Sequence, residues 1–139
     1  VYKRQDIVIA YKILKERDFK TNLYIKGDRK GRPFVDQFFT SGMSLFESIY
    51  LKTPLRDVNA QPNIFHRSFF QSWKNPPHDF SLDLYSLYKG SKANLELIRF
   101  PVLFPERIHG ESHWNTSLKD KWKFIKRTIA FSIELKRKL

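Results

Sequence analysis

The sequence contains no cysteine, and what it lacks excludes several kinds of site. Without thiols the chain forms neither a disulfide framework nor a zinc site built from thiolates. Its five glycines are scattered, so neither standard spacing of a phosphate-binding glycine loop occurs. The four histidines show no metal-ligand spacing such as His-Glu-x-x-His. No apolar run approaches the roughly 20 residues that a membrane-spanning helix needs.

Acidic residues are few, with 14 against 26 basic residues and a formal net charge of +12. The excess is concentrated in residues 118–139, where eight Lys and Arg accompany two acidic residues. A protein that binds nucleic acid more often spreads its positive charge over the folded face that contacts phosphate. We therefore expect no nucleic acid partner. A small basic module that binds RNA or another polyanion without catalysis is the alternative interpretation.

Aromatic and aliphatic residues are plentiful. Hydrophobic residues make up 41% of the chain, with 13 Phe, 6 Tyr and 3 Trp, which is enough for a packed core and excludes a disordered tail. The length of 139 residues fits one small domain. Residues 1–5 match the reading GTG TAT AAG AGA CAG, the end of a transposase-based sequencing adapter. We predict that they are an adapter artefact, the alternative being an ordinary polar start.

Hydrophobic spacing predicts alternating helices and strands, which indicates an α/β layer arrangement. Apolar residues three and four positions apart predict helices over 6–17, 33–50, 68–73, 81–89 and 118–138. Strands are predicted over 22–26, 63–65 and 95–104, with a loop over 27–32. Pro101 favours an edge or a bulge in the last strand. The phenylalanine pairs at 38–39 and 69–70 are predicted to lie in the core.

Two carboxylates four residues apart resemble a catalytic pair. Asp79 or Ser81 is predicted to cap the helix that follows, because these side chains accept hydrogen bonds from the first backbone amides. Asp83, within that helix, is predicted to be exposed or paired. We do not expect either carboxylate to be catalytic.

The stretch over residues 99–114 carries the most informative chemistry. An apolar strand leads into a polar loop that holds Arg107, Gly110, Ser112 and His113. Guanidinium and hydroxyl donors form charge-assisted hydrogen bonds with phosphate oxygens, so this loop suits a phosphate-binding site. The alternative is a solvated loop in which Arg107 pairs with a neighbouring glutamate.

The same stretch resembles the strand, Phe, Arg and Gly-Glu-Ser-Lys signature of the polyprenyl-phosphate enzymes within family 2 of the glycosyltransferases. Residues 26–29 (KGDR) resemble a family strand that ends in Gly-Ser-Arg, so Arg29 is the matching arginine. Ser41 matches a serine that the family carries on the next helix. The resemblance covers nearly all of residues 6–116, and the order of its segments is more specific than any single motif.

A further block, over residues 57–67, resembles the family pattern Asp-x-x-Ser-Gly-Phe-x-x-x-Arg and matches Asp57 and Arg67. Ala60 and Gln61 replace the Ser and Gly of this pattern. His113 stands where lipid-phosphate enzymes have Lys. The sequences of residues 59–62 (NAQP) and 110–115 (GESHWN) are more similar to bacterial family members that build surface polysaccharides. The Asp-x-Asp motif of the family is absent, which truncation upstream of residue 6 would explain.

The resemblance implies an incomplete GT-A fold over residues 6–116, the carboxy-terminal and acceptor-side part, followed by a basic amphipathic helix over 117–139. The intact enzyme would transfer a sugar, with inversion, from a nucleotide-sugar donor to a glycan or a polyprenyl-phosphate acceptor. A divalent metal, Mg²⁺ or Mn²⁺, on the absent Asp-x-Asp would neutralise the leaving diphosphate. The fragment by itself is expected to be inactive.

The resemblance also implies roles for the matched residues. Arg107, Ser112 and His113 would contact phosphate, and Arg29 would add positive charge near the same oxygens. Ser41 and Arg67 would belong to the same substrate-binding set. Asp57 is the candidate general base or the group that orients the acceptor hydroxyl. If the acceptor is a phosphate, no base is needed and Asp57 becomes structural, as a turn residue before a strand.

The terminal helix is predicted to be amphipathic. Its apolar stripe is widened by Phe124 and Phe131 and consists of Leu118, Trp122, Ile125, Ile129, Ser132 and Ile133. Such a helix suits the surface of an anionic membrane, with Trp at headgroup level. The alternative is an ordinary helix packed on the domain with a solvated basic face. We expect a cytoplasmic protein at the inner face of the plasma membrane, and a non-catalytic membrane adaptor is a third interpretation.

Overall fold

The computed structural model describes residues 12, 15, 22–31, 34–79, 81–103 and 118–137. These residues form a mixed α/β structure with three strands and four helices, besides the helical positions Lys12 and Lys15. In chain order the elements are β1 (Leu23–Lys30), α1 (Phe34–Tyr50), β2 (Asn63–Phe65), α2 (Arg67–Gln71), α3 (Ser81–Lys92), β3 (Glu96–Leu103) and α4 (Leu118–Arg137).

The described chain divides into two compact units. The sheet unit contains the three strands with α2 and α3, over residues 22–31 and 57–103. The helical unit contains α1 and α4, over residues 34–56 and 118–137. No helix in the described part of the chain is both long and apolar enough to cross a lipid bilayer.

The sheet has the strand order β2-β1-β3. The central strand β1 pairs antiparallel with β2 and parallel with β3, in a register that places Leu23 opposite Glu96 and Lys30 opposite Leu103. Within the described sheet β3 is therefore an edge strand. Pro101 lies in this strand, as predicted for a residue that cannot donate to a ladder.

Both faces of β1 are buried, which is typical of a central strand. Because side chains alternate along a strand, Leu23 and Ile25 share one face, where they form a core with Phe100 and Val102. Tyr24 and Lys26 point to the opposite face. There the hydroxyl of Tyr24 lies 3.0 Å from the hydroxyl of Ser86 on α3.

An aromatic cluster fills the space between β1, β2, α2 and α3. Tyr24 packs edge-on against Phe65, with ring centroids 5.3 Å apart, and Phe65 packs edge-on against Phe69 at 5.2 Å. Trp73 contacts both Phe69 and Tyr85. Edge-to-face pairs of this kind add stability beyond the area that they bury.

In the helical unit, α1 and α4 lie side by side and run in the same direction. Near their first turns, Lys121 of α4 forms a 3.3 Å ion pair with Asp36 of α1 and lies 5.5 Å from the ring centre of Phe39. Near their last turns, Lys136 lies 4.1 Å from the ring centre of Tyr50. The two helices are therefore parallel, and their first turns and their last turns lie next to each other.

Most of the predicted elements are confirmed within one to three residues at their ends, with one clear exception. The loop predicted over 27–32 is wrong for residues 27–30, which continue β1 and pair with residues 100–103 of β3. Glycine and alternating charges suggested a turn, but pairing with a neighbouring strand overrides such local preferences. The predicted helix over 6–17 lies outside the described residues except at Lys12 and Lys15, which are helical.

The predicted burial of the two phenylalanine pairs is only partly confirmed. Phe69 is buried, whereas Phe38 and Phe70 are exposed and Phe39 is 37% exposed. Phe38 and Phe39 lie on α1, whose buried residues are Ser44 and Glu47. The apolar stripe of this helix is therefore not the face that it buries.

Candidate functional site

The candidate site is centred on an ion pair between Arg29, near the end of β1, and Asp57, in the turn before β2. Nε of Arg29 donates to both carboxylate oxygens of Asp57, at 3.1 and 3.2 Å, and Nη2 donates a further bond to Oδ1. Both side chains are largely shielded from water, with 15% of Arg29 and 8% of Asp57 exposed. Two-point contact between guanidinium and carboxylate fixes the orientation of both groups.

The backbone around Asp57 forms a tight turn. Asp57 has a φ of +43°, a left-handed conformation that Asp tolerates better than most residues, and its carbonyl accepts a 3.0 Å hydrogen bond from the amide of Ala60. Asp57 is therefore a turn residue before a strand, which was one of the two roles considered for it from the sequence. It also forms the ion pair with Arg29.

Beneath this turn lies a hydrogen-bond network that begins at Lys26, whose side chain is fully buried. Nζ of Lys26 donates to the carbonyl of Ala60 at 2.8 Å and to Oδ1 of Asn63 at 2.7 Å. Nδ2 of Asn63 donates in turn to Oδ1 of Asp83 on α3, at 2.9 Å. Gln61 donates to the same oxygen of Asp83 at 2.6 Å. The network therefore ties the segment over 57–63 to both β1 and α3.

Burial governs the protonation of this network. Desolvation lowers the pKa of Lys26 to about 7, although the negative charges of Asp83 and Asp57 oppose the shift. Desolvation also raises the pKa of Asp83, against the influence of Lys26. The pKa of Tyr24 is raised to about 12, mainly by burial. Burial therefore disfavours the charged form of each of these three side chains.

Gly27 permits the turn to approach the strand. A Cβ at this position would lie 2.0 Å from the carbonyl oxygen of Gln61, a backbone atom, and 3.1 Å from Val102. The amide of Gly27 donates to the carbonyl of Pro62 at 3.0 Å. Only glycine allows this approach, which brings the segment over 57–63 against β1 beside Arg29.

The structure brings together two of the seven residues singled out from the sequence, Arg29 and Asp57. Arg67 is the exposed first residue of α2, directly after the N-cap His66. Ser41 is exposed on α1, in the helical unit. Arg107, Ser112 and His113 lie outside the described residues, so their proposed phosphate contacts stay predictions.

Asp79, which precedes α3, and Asp83, within it, have the structural roles expected of them. The side chain of Asp79 accepts a 2.9 Å hydrogen bond from the amide of Ser81, which confirms it as a cap. Asp83 is paired through Gln61 and Asn63 rather than exposed.

Sequence reasoning missed Lys26 and Asn63. The available signal was a lysine that directly follows the apolar run Leu23–Ile25 inside a predicted strand, where burial of the whole strand would also bury the amine.

The described residues offer no ligand set for the divalent metal that the resemblance implies, since they include no group of three His, Asp or Glu side chains able to hold an ion. Comparison of the chain with protein-family models, with curated proteins and with solved structures finds no match.

Proposed function

We propose that this chain is the acceptor-side part of a family 2 glycosyltransferase. The intact enzyme transfers a sugar, with inversion, from a nucleotide-sugar donor to a glycan or polyprenyl-phosphate acceptor in the synthesis of a surface polysaccharide. The observation that carries the proposal is the contact between Arg29 and Asp57. The two residues were matched to separate family segments 28 positions apart, and they meet in one ion pair.

The place of this pair in the sheet supports the proposal. Arg29 lies at the carboxyl end of β1, and β1 and β3 end together because Lys30 is opposite Leu103. Ligands of open α/β sheets bind beyond the carboxyl ends of parallel strands. The segment that contains Arg107, Ser112 and His113 begins directly after β3 in the sequence. These three residues complete the phosphate-binding set in the proposal.

In the proposed mechanism Asp57 orients the acceptor hydroxyl or removes its proton. Arg29 holds the carboxylate in one orientation and supplies positive charge near the developing negative charge of the reaction. Lys26 holds the backbone of the same turn through its hydrogen bond to the carbonyl of Ala60, and Asn63 accepts a second hydrogen bond from the same amine. A divalent metal in the intact enzyme would be held by an Asp-x-Asp motif that this sequence does not contain.

The first test is to recover the gene upstream of Asp6. The proposal expects a nucleotide-binding segment that ends in Asp-x-Asp within a few residues of that position. A stop codon in frame directly upstream would contradict it. The longer protein should release nucleoside diphosphate from at least one member of a nucleotide-sugar panel when Mg²⁺ or Mn²⁺ is supplied.

The second test uses variants of that longer protein. Asp57→Asn should lower kcat by about a hundredfold or more, in the range that general bases contribute. Asp28→Asn is the matched control, because Asp28 precedes Arg29 on β1 and forms a 3.0 Å ion pair with Lys30 instead. Unchanged turnover in a folded Asp57→Asn protein would remove Asp57 from the mechanism. Salt-dependent binding of oligonucleotides, lost on removal of residues 118–139, would favour the RNA-binding alternative.

A further inference from the structure

The four apolar side chains of the helical unit with the highest exposed fractions form one stripe along α1. Phe34 is 81% exposed, Phe38 67%, Leu45 62% and Ile49 72%. Viewed down the axis, these four residues fall within an arc of about 60°, and the helix is about 25 Å long. We call this set the α1 stripe. Globular proteins rarely leave large apolar side chains aligned in this way uncovered unless they contact a partner.

The known contacts of α1 lie on other sides of the helix. Its buried residues are Ser44 and Glu47. Its contacts with α4 involve Asp36, Phe39 and Tyr50. None of these positions belongs to the α1 stripe, so packing within the helical unit leaves the stripe exposed.

The neighbouring helix α4 presents positive charge and an aromatic ring. Its described residues include seven basic and two acidic side chains. Lys119, Lys123 and Lys126 are exposed, and Trp122 is 58% exposed. The ammonium of Lys126 lies 5.8 Å from the ring centre of Trp122. Aromatic rings next to lysines are typical of surfaces that meet lipid headgroups.

The residues that the structure exposes on the two helices differ from those predicted to face a membrane. On α4, Ser132 of the predicted apolar stripe is fully buried, and Ile125 and Ile129 are half-buried. The middle of that stripe is therefore partly covered, whereas Trp122 and Ile133 are exposed. The α1 stripe, of which Phe38 was predicted to lie in the core, is exposed instead.

We propose that the α1 stripe, together with Trp122 and the exposed lysines of α4, binds the surface of an anionic lipid bilayer. The apolar side chains enter the boundary between headgroups and acyl chains, and the lysines contact lipid phosphates. A protein partner is less well matched, because the buried centres of protein interfaces are depleted in lysine. This inference goes beyond the proposed function and does not depend on it, since binding can be measured without any transfer reaction.

Vesicle flotation of the 139-residue chain tests the proposal. The protein should float with vesicles of phosphatidylcholine and phosphatidylglycerol, and less with phosphatidylcholine alone. The double variant Phe34→Ser/Phe38→Ser should lower the partition coefficient about tenfold or more, since two aromatic anchors are lost. The matched control is Phe70→Ser, which removes an exposed phenylalanine (56%) from the sheet unit and should leave flotation unchanged.

A second variant tests the electrostatic part. Lys119→Gln/Lys123→Gln/Lys126→Gln should remove the preference for phosphatidylglycerol, and high salt should do the same for the unmodified protein. Circular dichroism should show that all variants remain folded, because every substituted side chain is exposed.

Three results would overturn the proposal. The first is no flotation with anionic vesicles, and the second is equal flotation of the Phe34→Ser/Phe38→Ser variant. The third is concentration-dependent self-association in sedimentation velocity that the same variant abolishes without any vesicle binding, since the stripe would then be an interface between copies of the chain.

Discussion

The central strand β1 of the sheet unit buries mostly apolar side chains, whereas α1 of the helical unit buries polar ones, although that unit also buries Leu51, Leu55 and Leu135. The sheet unit encloses Leu23, Ile25, Phe100 and Val102, and even its buried amine at Lys26 has two hydrogen-bond acceptors. The helical unit buries polar groups on α1 and exposes the α1 stripe. This difference indicates that the sheet unit buries its apolar residues within itself. The exposed face of α1 is instead available to contact another surface. Four substitutions test the comparison.

The largest expected effect is at Gly27, where the sheet unit has no spare room. Gly27→Ala places a methyl group 2.0 Å from the carbonyl oxygen of Gln61, and neither backbone can move without breaking the bond from Gly27 to Pro62. We expect the free energy of unfolding to fall by about 3 kcal/mol or more, as for a severe overpacking. Urea unfolding measures the change. A loss below about 1 kcal/mol would show that the turn is not held against β1.

The next effect concerns Lys26. Lys26→Met keeps the volume but removes the donors to Ala60 and Asn63, so we expect a loss of about 2–4 kcal/mol at pH 9. Because burial lowers the pKa of Lys26 to about 7 in the folded state, the unfolded chain binds more protons between pH 7 and 10.5, and native stability rises with pH in that window.

The loss caused by Lys26→Met should therefore grow between pH 7 and pH 9, by on the order of 2 kcal/mol. Urea unfolding at both pH values measures the difference between the variant and the unmodified protein. Lys89→Met, which removes a partly exposed lysine of α3, is the control for loss of a lysine from the sheet unit. A constant difference would mean that Lys26 does not titrate in this range.

A smaller effect of opposite sign is expected in the helical unit at Glu47. Burial raises the pKa of this carboxyl to about 7, and its Oε2 has no hydrogen-bond partner among the described residues. The folded state therefore binds more protons than the unfolded chain between pH 4.5 and 7, and stability falls as pH rises through that window. Glu47→Gln should stabilise the protein by on the order of 2 kcal/mol at pH 8 and by little at pH 4. Equal effects at both pH values would contradict a buried carboxylate.

The fold was largely predictable where local periodicity agrees with tertiary structure. The strand over 63–65, the helix after Arg32 and the terminal helix all follow from apolar spacing. The second half of β1 was not predictable in this way, because Gly27, Asp28 and Lys30 have low strand preference and are held by pairing with β3, over 70 residues later. The exposure of Phe38 could not be read from spacing either. An amphipathic pattern shows that a helix has an apolar face but does not show whether that face is covered.

The site was predictable only through the resemblance. The resemblance singled out Arg29 and Asp57, although nothing in the sequence around either residue indicates that they are in contact. In the structure they form an ion pair. No family match pointed to Lys26 or Asn63. The apolar run before Lys26 was the one local signal for its burial, and it is weak because a lysine in a strand is more often exposed.

The smallest effect is expected at Gly42, where the substitution is again glycine to alanine. A Cβ at Gly42, in the middle of α1, would meet no atom within 4 Å among the described residues, apart from the nearby backbone of its own helix. Alanine at this position restricts the unfolded chain and favours the helix, so Gly42→Ala should stabilise the protein by about 0.5–1 kcal/mol. The pair Gly27→Ala and Gly42→Ala should thus change the unfolding free energy in opposite directions, measured under one set of urea conditions. If Gly42→Ala were destabilising, a group not visible around α1 would already cover this helix, and the lipid-facing assignment of the α1 stripe would lose its basis.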